Sequence, residues 1–314
     1  MVKQMNNFNK DLLNFLNKGT CTFTSTKEIT KILEKHNYQK LDEQDNWHLN
    51  HDKYYLIRND ASIIAFNIGK KTNQFNIVCT HNDTPTFMIK PTPEYYENGY
   101  LKLNVTPYGG ILNYGFMDRP LGIAGRIIYE DNKTLKKEII DLNKDVAIIP
   151  SIAIHQNNLA NSNLDINTEI DLMPIISLNK NNSLEKLLQK YLNNRALIFD
   201  YDLFLYNRDQ AKIINNEFIA SPRIDNLTCT YAALKAFLNN FNNSINVLAI
   251  FNSEEIGSNT FEGADSNFLI DTLKRICAHL QMELAPTLAK SLIVSADNTH
   301  AKHPSHNELS DHTN

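Results

Sequence analysis

"VLAIFNSEEIG", residues 247–257, decides how this chain is read. Val247-Leu248-Ala249-Ile250-Phe251 is short, continuous and apolar, the pattern of a strand covered on both faces. Glu254 and Glu255 then fall where such a strand leaves its sheet. Burying an ionised carboxylate without a partner is costly and two in sequence repel, so a positive group, such as a metal ion, belongs beside them. Taken alone, a Glu-Glu pair is most often a solvated strand cap. The rest of the chain argues otherwise.

The same grammar occurs twice more. "FNIVCTHND" (75–83) reads as a buried strand ending on His81 and Asp83, and "SLIVSAD" (291–297) as another ending on Asp297. "SPRIDNLTCTYAALKAFLNN" (221–240) sets Asp225 just ahead of a helix-period run, Leu227, Tyr231, Leu234 and Phe237. In open α/β sheets ligands bind beyond the carboxyl ends of the strands, so these endings can meet in space although they are distant in sequence. Hydrolytic zinc or manganese sites take imidazole nitrogen and carboxylate oxygen and keep a position for water. His81, Asp225, Glu255 and Asp297 supply such ligands, and Glu254 stays free to take a proton.

Outside these segments the chain alternates between helical and strand-like texture. Apolar residues at helical spacing over 8–18 stop at Gly19, and "STKEITKILEKHNY" (25–38) offers Ser25 and Glu28 as a capping box for a second helix. "YYLIRNDASIIAFNIGK" (54–70) is two strands joined by a tight turn at Asn59-Asp60. Residues 89–216 are strand-like and broken by turn residues, with one clear helix in "SLEKLLQKYLNN" (183–194). The fold class expected is α/β: a domain with a mixed, largely parallel central sheet flanked by helices, interrupted by an inserted, mostly β domain. Residues 1–88 and 217–314 make the first domain and 89–216 the second.

Composition excludes several classes. The 314 residues are 42% hydrophobic and 21% charged with a formal charge of -4, and the two signs are mixed, so neither nucleic acid nor a membrane surface is an expected partner. No apolar run is long enough to span a bilayer, and the amphipathic N-terminus is too polar for a secretory signal, which points to the cytoplasm. Cys21, Cys79, Cys229 and Cys277 are widely spaced and read as small buried apolar residues of a reducing compartment. Asparagine clusters at 157–163, 179–182 and 239–243 mark turns.

"CTHNDTP" (79–85), "YGGILNYGFMDRPLGIAGR" (108–126), "PSIAIHQN" (150–157), "SPRIDNL" (221–227), "FNSEEIGS" (251–258), "EGADSNFL" (262–269) and "SADNTHAKHP" (295–304) come in one order along nearly the whole chain. In that order and spacing the chain resembles the aspartyl aminopeptidase family of dinuclear zinc exopeptidases, which includes vacuolar and bacterial members. Other two-metal hydrolases, such as amidohydrolase-type deacylases, share the ligand grammar but not the second and third motifs. The resemblance implies two divalent metal ions, zinc by family habit. His81 and Asp297 would hold one, Asp225 would bridge, Glu255 would hold the other, and Glu254 would be the general base for a metal-bridging hydroxide. It makes Asp83 the group that orients His81, and it implies that the Asp225-Asn226 peptide is cis. His155 matches the family histidine that reaches from the inserted domain into a neighbouring subunit's site to steady the oxyanion, so a homo-oligomer assembled through that domain is implied. The substrates are peptides, and the family's best-known members prefer acidic N-terminal residues.

Two departures matter. Family members continue well past the His303-Pro304 position, through a segment bearing substrate-binding residues and a last histidine ligand of the second metal. The expectation is a C-terminally shortened member whose second metal keeps only Asp225 and Glu255, and whose alternative role is an impaired or inactive assembly subunit. His300, His303, His306 and His312 read as solvated tail. Asn82 stands where the family usually has threonine, and little consequence is expected of it.

Overall fold

The computed structural model describes residues 2–69 (side chains from residue 7 on), 73–162, 165–192, 197–239 and 244–310. In chain order the helices are α1 (Val2–Lys18), α2 (Thr22–Lys35), α3 (Leu184–Tyr191), α4 (Ile224–Asn239), α5 (Phe268–His279) and α6 (Leu284–Ala289). The strands are β1 (Gln39–Lys40), β2 (Lys53–Arg58), β3 (Ser62–Asn67), β4 (Phe75–His81), β5 (Thr86–Glu97), β6 (Tyr100–Tyr108), β7 (Leu121–Asp131), β8 (Thr134–Asp141), β9 (Ile175–Ser177), β10 (Leu197–Asn207), β11 (Lys212–Ile214), β12 (Phe218–Ala220), β13 (Ile245–Phe251) and β14 (Leu292–Ser295).

One sheet runs β1-β2-β3-β13-β4-β14. β13 and β14 flank β4 in parallel, whereas β3 pairs antiparallel with both β2 and β13. The β2–β3 hairpin closes through Asn59 and Asp60, both at positive φ, as the sequence predicts. The continuous apolar character of β13 has a simple origin. Leu248 and Ile250 pack with α1, α2 and α4, while Val247, Ala249 and Phe251 pack with α5, so both faces of the strand are buried.

The second sheet, β8-β7-β10-β5-β6-β9, is antiparallel throughout and encloses its own core of Phe87, Ile123, Ile127, Leu203 and Leu205, which α3 joins through Leu184 and Leu188. Ser183 caps α3 by accepting the Lys186 N–H at 3.1 Å. Arg126 of β7 fastens the two sheets together. Its guanidinium donates to the Asn59 carbonyl at 3.0 Å and the Asn59 side chain at 2.8 Å, pairs with Asp60 and Asp202, and lies over the Phe23 ring.

Three expectations need correction. α2 begins at Thr22, not after a Ser25–Glu28 box: the Cys21 N–H donates to Thr24 Oγ1 at 2.9 Å, Ser25 turns back onto the Thr22 carbonyl at 2.8 Å, and Glu28 pairs with Lys18 and Lys31. Cys21 and Thr24 thus form the box at that boundary, ahead of the one expected, and contact with β7 and β8 buries Thr22 to Thr26 behind it. Cys21 and Cys277 are buried, but Cys79 and Cys229 are only partly so; all four are free thiols. β14 is not a buried strand: it pairs along one side with β4, and Leu292, Ile293 and Val294 are 61%, 58% and 49% exposed. Asn163, Asn240, Asn242, Asn243 and His312 lie outside the described residues.

Candidate metal centre

Because β4, β13 and β14 run parallel and in register, their carboxyl ends share one edge. His81 is the last residue of β4 and lies opposite Phe251, the last of β13. The Asn82 N–H donates to the Phe251 carbonyl at 3.0 Å, which carries the pairing one residue further. After β13 the chain turns sharply through Ser253 (φ 67) into a single 3-10 turn, Glu254–Ile256, closed by Gly257 (φ 96). This turn projects both glutamates beyond the sheet edge. Asp225 precedes the regular part of α4 with φ -78 and ψ 117, and the Asp225-Asn226 peptide is cis. Asn226 is buried and donates to the Ala296 carbonyl at 3.0 Å, while Asn298 reaches Thr228 Oγ1 at 2.7 Å. Those bonds tie the turn bearing Asp225 to the loop bearing Asp297.

The side chains meet around His81 Nε2. Asp297 Oδ1 is 3.3 Å away, Asp225 Oδ1 3.5 Å and Glu254 Oε2 3.7 Å. His81, Glu254 and Asp297 form one group of mutually close donors, and His81, Asp225 and Glu255 form another. Four donors about a tetrahedral zinc with bonds of about 2.0–2.2 Å stand roughly 3.3–3.6 Å from one another, so the donor set and its spacing fit that ion. The imidazole side chain is 5% exposed, whereas those of Asp225, Asp297 and Glu254 are 53%, 52% and 47% exposed. The centre is anchored from below and open to solvent above.

Asp83 is the buried hub beneath it. Its Oδ1 lies 3.3 Å from His81 Nδ1 and accepts the Glu254 N–H at 3.3 Å; its Oδ2 accepts the Glu255 N–H at 3.1 Å and the Tyr108 hydroxyl at 2.9 Å. The Asp83 carbonyl also lies 3.1 Å from His81 Nδ1. With Nδ1 so engaged, Nε2 is left facing the carboxylates, the disposition a metal-ligating histidine needs.

Five carboxylates surround one imidazole, and among the described residues none of the five forms an ion pair with lysine or arginine. Burial lowers the His81 pKa, but the Asp83 hydrogen bond and the charges of Asp83, Glu254 and Asp297 outweigh it and push the imidazole up to about 9. Burial, then the Asp83 charge, raises Glu255 to about 7, and burial followed by Asp297 raises Asp225. A divalent cation relieves this repulsion.

The structure therefore brings together His81, Asp83, Asp225, Glu254, Glu255 and Asp297. It does not bring His155 to them: that residue is exposed on the segment following β8. His300, His303 and His306 are likewise exposed, the last two within a short turn of their own. Sequence reasoning missed Tyr108, Gly109 and Asn82. Asn82 is buried, takes the Thr22 hydroxyl at 3.0 Å and donates to Thr26 Oγ1 at 2.8 Å and the Ala61 carbonyl at 3.0 Å. Nothing local signals these contacts, although "YGG" at 108–110 already stood among the ordered motifs.

A family profile described as aminopeptidase I zinc metalloprotease (M18) matches residues 15–314. The chain belongs to the M18 metallopeptidases. A probable M18 family aminopeptidase 2 of Clostridium novyi (strain NT) is 38% identical over all of this chain and 77% of its own length. Its counterpart in Pseudomonas paraeruginosa is 36% identical over 96% of this chain and 74% of its own length. Among solved structures, the Ape4 and Nbr1 complex holds a chain similar to this one at a TM-score of 0.90 and 31% identity, covering 98% of this chain and 66% of that one. The S. cerevisiae mApe1 dodecamer matches at 0.81 and 25%, covering 96% and 74%. M18 membership makes the protein a metallo-hydrolase of the aminopeptidase type, with a peptidase domain and an inserted β domain, and makes zinc the family metal. Among the described residues no helix is long and apolar enough to cross a membrane.

Proposed function

We propose that this chain releases N-terminal amino acids from peptides, with His81, Asp225 and Asp297 holding one zinc ion, Asp225 and Glu255 a second, weaker one, and Glu254 serving as general base. The observation that carries the reading is the convergence of three carboxylate oxygens within 3.3–3.7 Å of His81 Nε2, on the far side of the ring from Asp83. Zinc bound there supplies a Lewis acid and lowers the pKa of water. Asp83 holds the imidazole and the Glu254–Glu255 turn in place. Glu254, half-exposed at the mouth, takes the proton of the attacking water and delivers it to the leaving amine. Among the described residues the second position draws on carboxylates without a histidine of its own, which supports the weaker hold.

Residues 1–88 and 217–314 form the peptidase unit of this proposal and 89–216 the inserted one, a division supported by the separate core of the second sheet. The dodecamer of the mApe1 relative supports a homo-oligomer, and His155, exposed and away from this chain's own centre, is the residue the family resemblance would send to a neighbouring subunit's site. Acidic N-terminal residues, preferred by the best-known members of the family, are one of the two substrate classes to be compared. A cytoplasmic location accords with the free thiols.

The test is zinc content per chain together with turnover of acidic and neutral aminoacyl substrates. Glu254→Gln should keep zinc and lose turnover, and Glu255→Gln should lose the second ion while keeping the first. Stoichiometric zinc with no turnover by the unaltered chain would favour the assembly-subunit alternative; no zinc at all would overturn the site.

A further inference from the structure

β6 of the inserted sheet ends at Tyr108, and there the chain runs directly into the metal centre. The Tyr108 hydroxyl donates to Asp83 Oδ2 at 2.9 Å, and its ring stands edge-on to Phe204 of β10 with centroids 5.5 Å apart. Of the four donors on the Asp83 carboxylate, three come from the peptidase sheet edge: the His81 ring, the Glu254 N–H and the Glu255 N–H. The fourth is Tyr108, from the other sheet. Burial, reinforced by the Asp83 charge, raises the phenol pKa, so the hydroxyl remains a donor.

The next residue makes an independent contact. Gly109 has φ +74, and a Cβ placed on it would stand 2.8 Å from Glu255 Cβ and 3.1 Å from Glu255 Oε2. The backbone leaving β6 is thus pressed against the second glutamate, in a conformation that a side chain disfavours. Two adjacent residues of the inserted domain accordingly fix two different parts of the centre: one holds the carboxylate that orients His81, the other limits where Glu255 can lie.

We propose that Tyr108 and Gly109 are positioning residues for the zinc site, acting through Asp83 and Glu255, so that the inserted domain sets the affinity of the peptidase domain for its metal. The proposal rests on the zinc site argued above. Tyr108→Phe keeps the ring against Phe204 and removes only the hydroxyl. Partners of this kind are commonly worth about 10–100-fold in metal affinity, and the structure predicts a loss in that range.

The experiment is zinc competition against a chromophoric chelator, using the full metal-stripped chain, with thermal unfolding of the same metal-free samples. Tyr108→Phe should bind zinc at least tenfold more weakly while its metal-free melting temperature stays close to that of the unaltered chain. In an Asp83→Asn background the same substitution should cost little further affinity, because its route has already been removed. Gly109→Ala should also weaken zinc, and should do so in the Asp83→Asn background as well, since its path runs through Glu255. Equal affinity in Tyr108→Phe, or a loss fully additive with Asp83→Asn, would overturn the proposal. If the unaltered chain takes up no zinc, it is the underlying site that fails.

Discussion

Asn82 offers the sharpest test of how the centre is supported. Replacing it with alanine removes the buried hydrogen bonds made with the Thr22 hydroxyl at 3.0 Å, Thr26 Oγ1 at 2.8 Å and the Ala61 carbonyl at 3.0 Å, together with a longer one to the Thr22 carbonyl at 3.4 Å. The Ala61 carbonyl keeps the Thr26 hydroxyl as a donor, so only part of the network is orphaned. At about 1 kcal/mol net for each of the three shorter bonds, Asn82→Ala should cost roughly 3 kcal/mol. Against a typical total of about 5–15 kcal/mol this is a large fraction. Urea unfolding of the metal-free chain should show the midpoint falling with an unchanged slope. Asn82→Asp should be worse at neutral pH, because a carboxylate oxygen would then face the Ala61 and Thr22 carbonyls in place of an amide donor. A loss below about 1 kcal/mol for the alanine variant would refute the network as a source of stability.

Two further outcomes are expected. In the metal-free chain the His81 imidazolium, raised to about 9, is protonated at pH 7 and Glu255, raised to about 7, is half protonated. Since both must lose their protons to bind metal, zinc uptake should release about one and a half protons at pH 7 and about one at pH 8. Calorimetry in buffers of different ionisation enthalpy measures this, and release that grows with pH would contradict it. At the open edge of the peptidase sheet, Ile293→Lys should change stability by no more than about 0.5 kcal/mol while suppressing irregular association seen by light scattering at rising concentration. Unchanged scattering would show that β14 is not the adhesive edge.

Strand and ligand positions were largely legible because their signals are local. The apolar run of β13 and the hairpin turn at Asn59-Asp60 depend on neighbours within a few residues, and the parallel arrangement follows from strands that all end on polar ligands. What stayed hidden depends on pairs distant in sequence. Tyr108 and Asp83 are 25 positions apart, one at the end of a strand of the second sheet and the other in the link after β4, and Asn82 acts through residues 56 and 60 positions away. The start of α2 was misplaced because Ser25 and Glu28 mimic a box by spacing alone, while the box at the boundary is formed by Cys21 and Thr24. β14 has the composition of a covered strand, and composition does not report what lies on either side of it.

The insertion between β4 and β13 also governs the order in which this protein can take shape during synthesis. β4 has no sheet partner when it leaves the ribosome, since both its neighbours, β13 and β14, lie beyond the inserted domain. The β domain, with a core of its own, can close first, while Ile77 and Val78 wait as an unpaired apolar strand. At about 5–20 residues per second, the 216 positions separating His81 from Asp297 take roughly 10–40 s to translate. During that interval the nascent peptidase half is the portion most in need of a chaperone, and the donors of the centre cannot come together until Asp297 has been made.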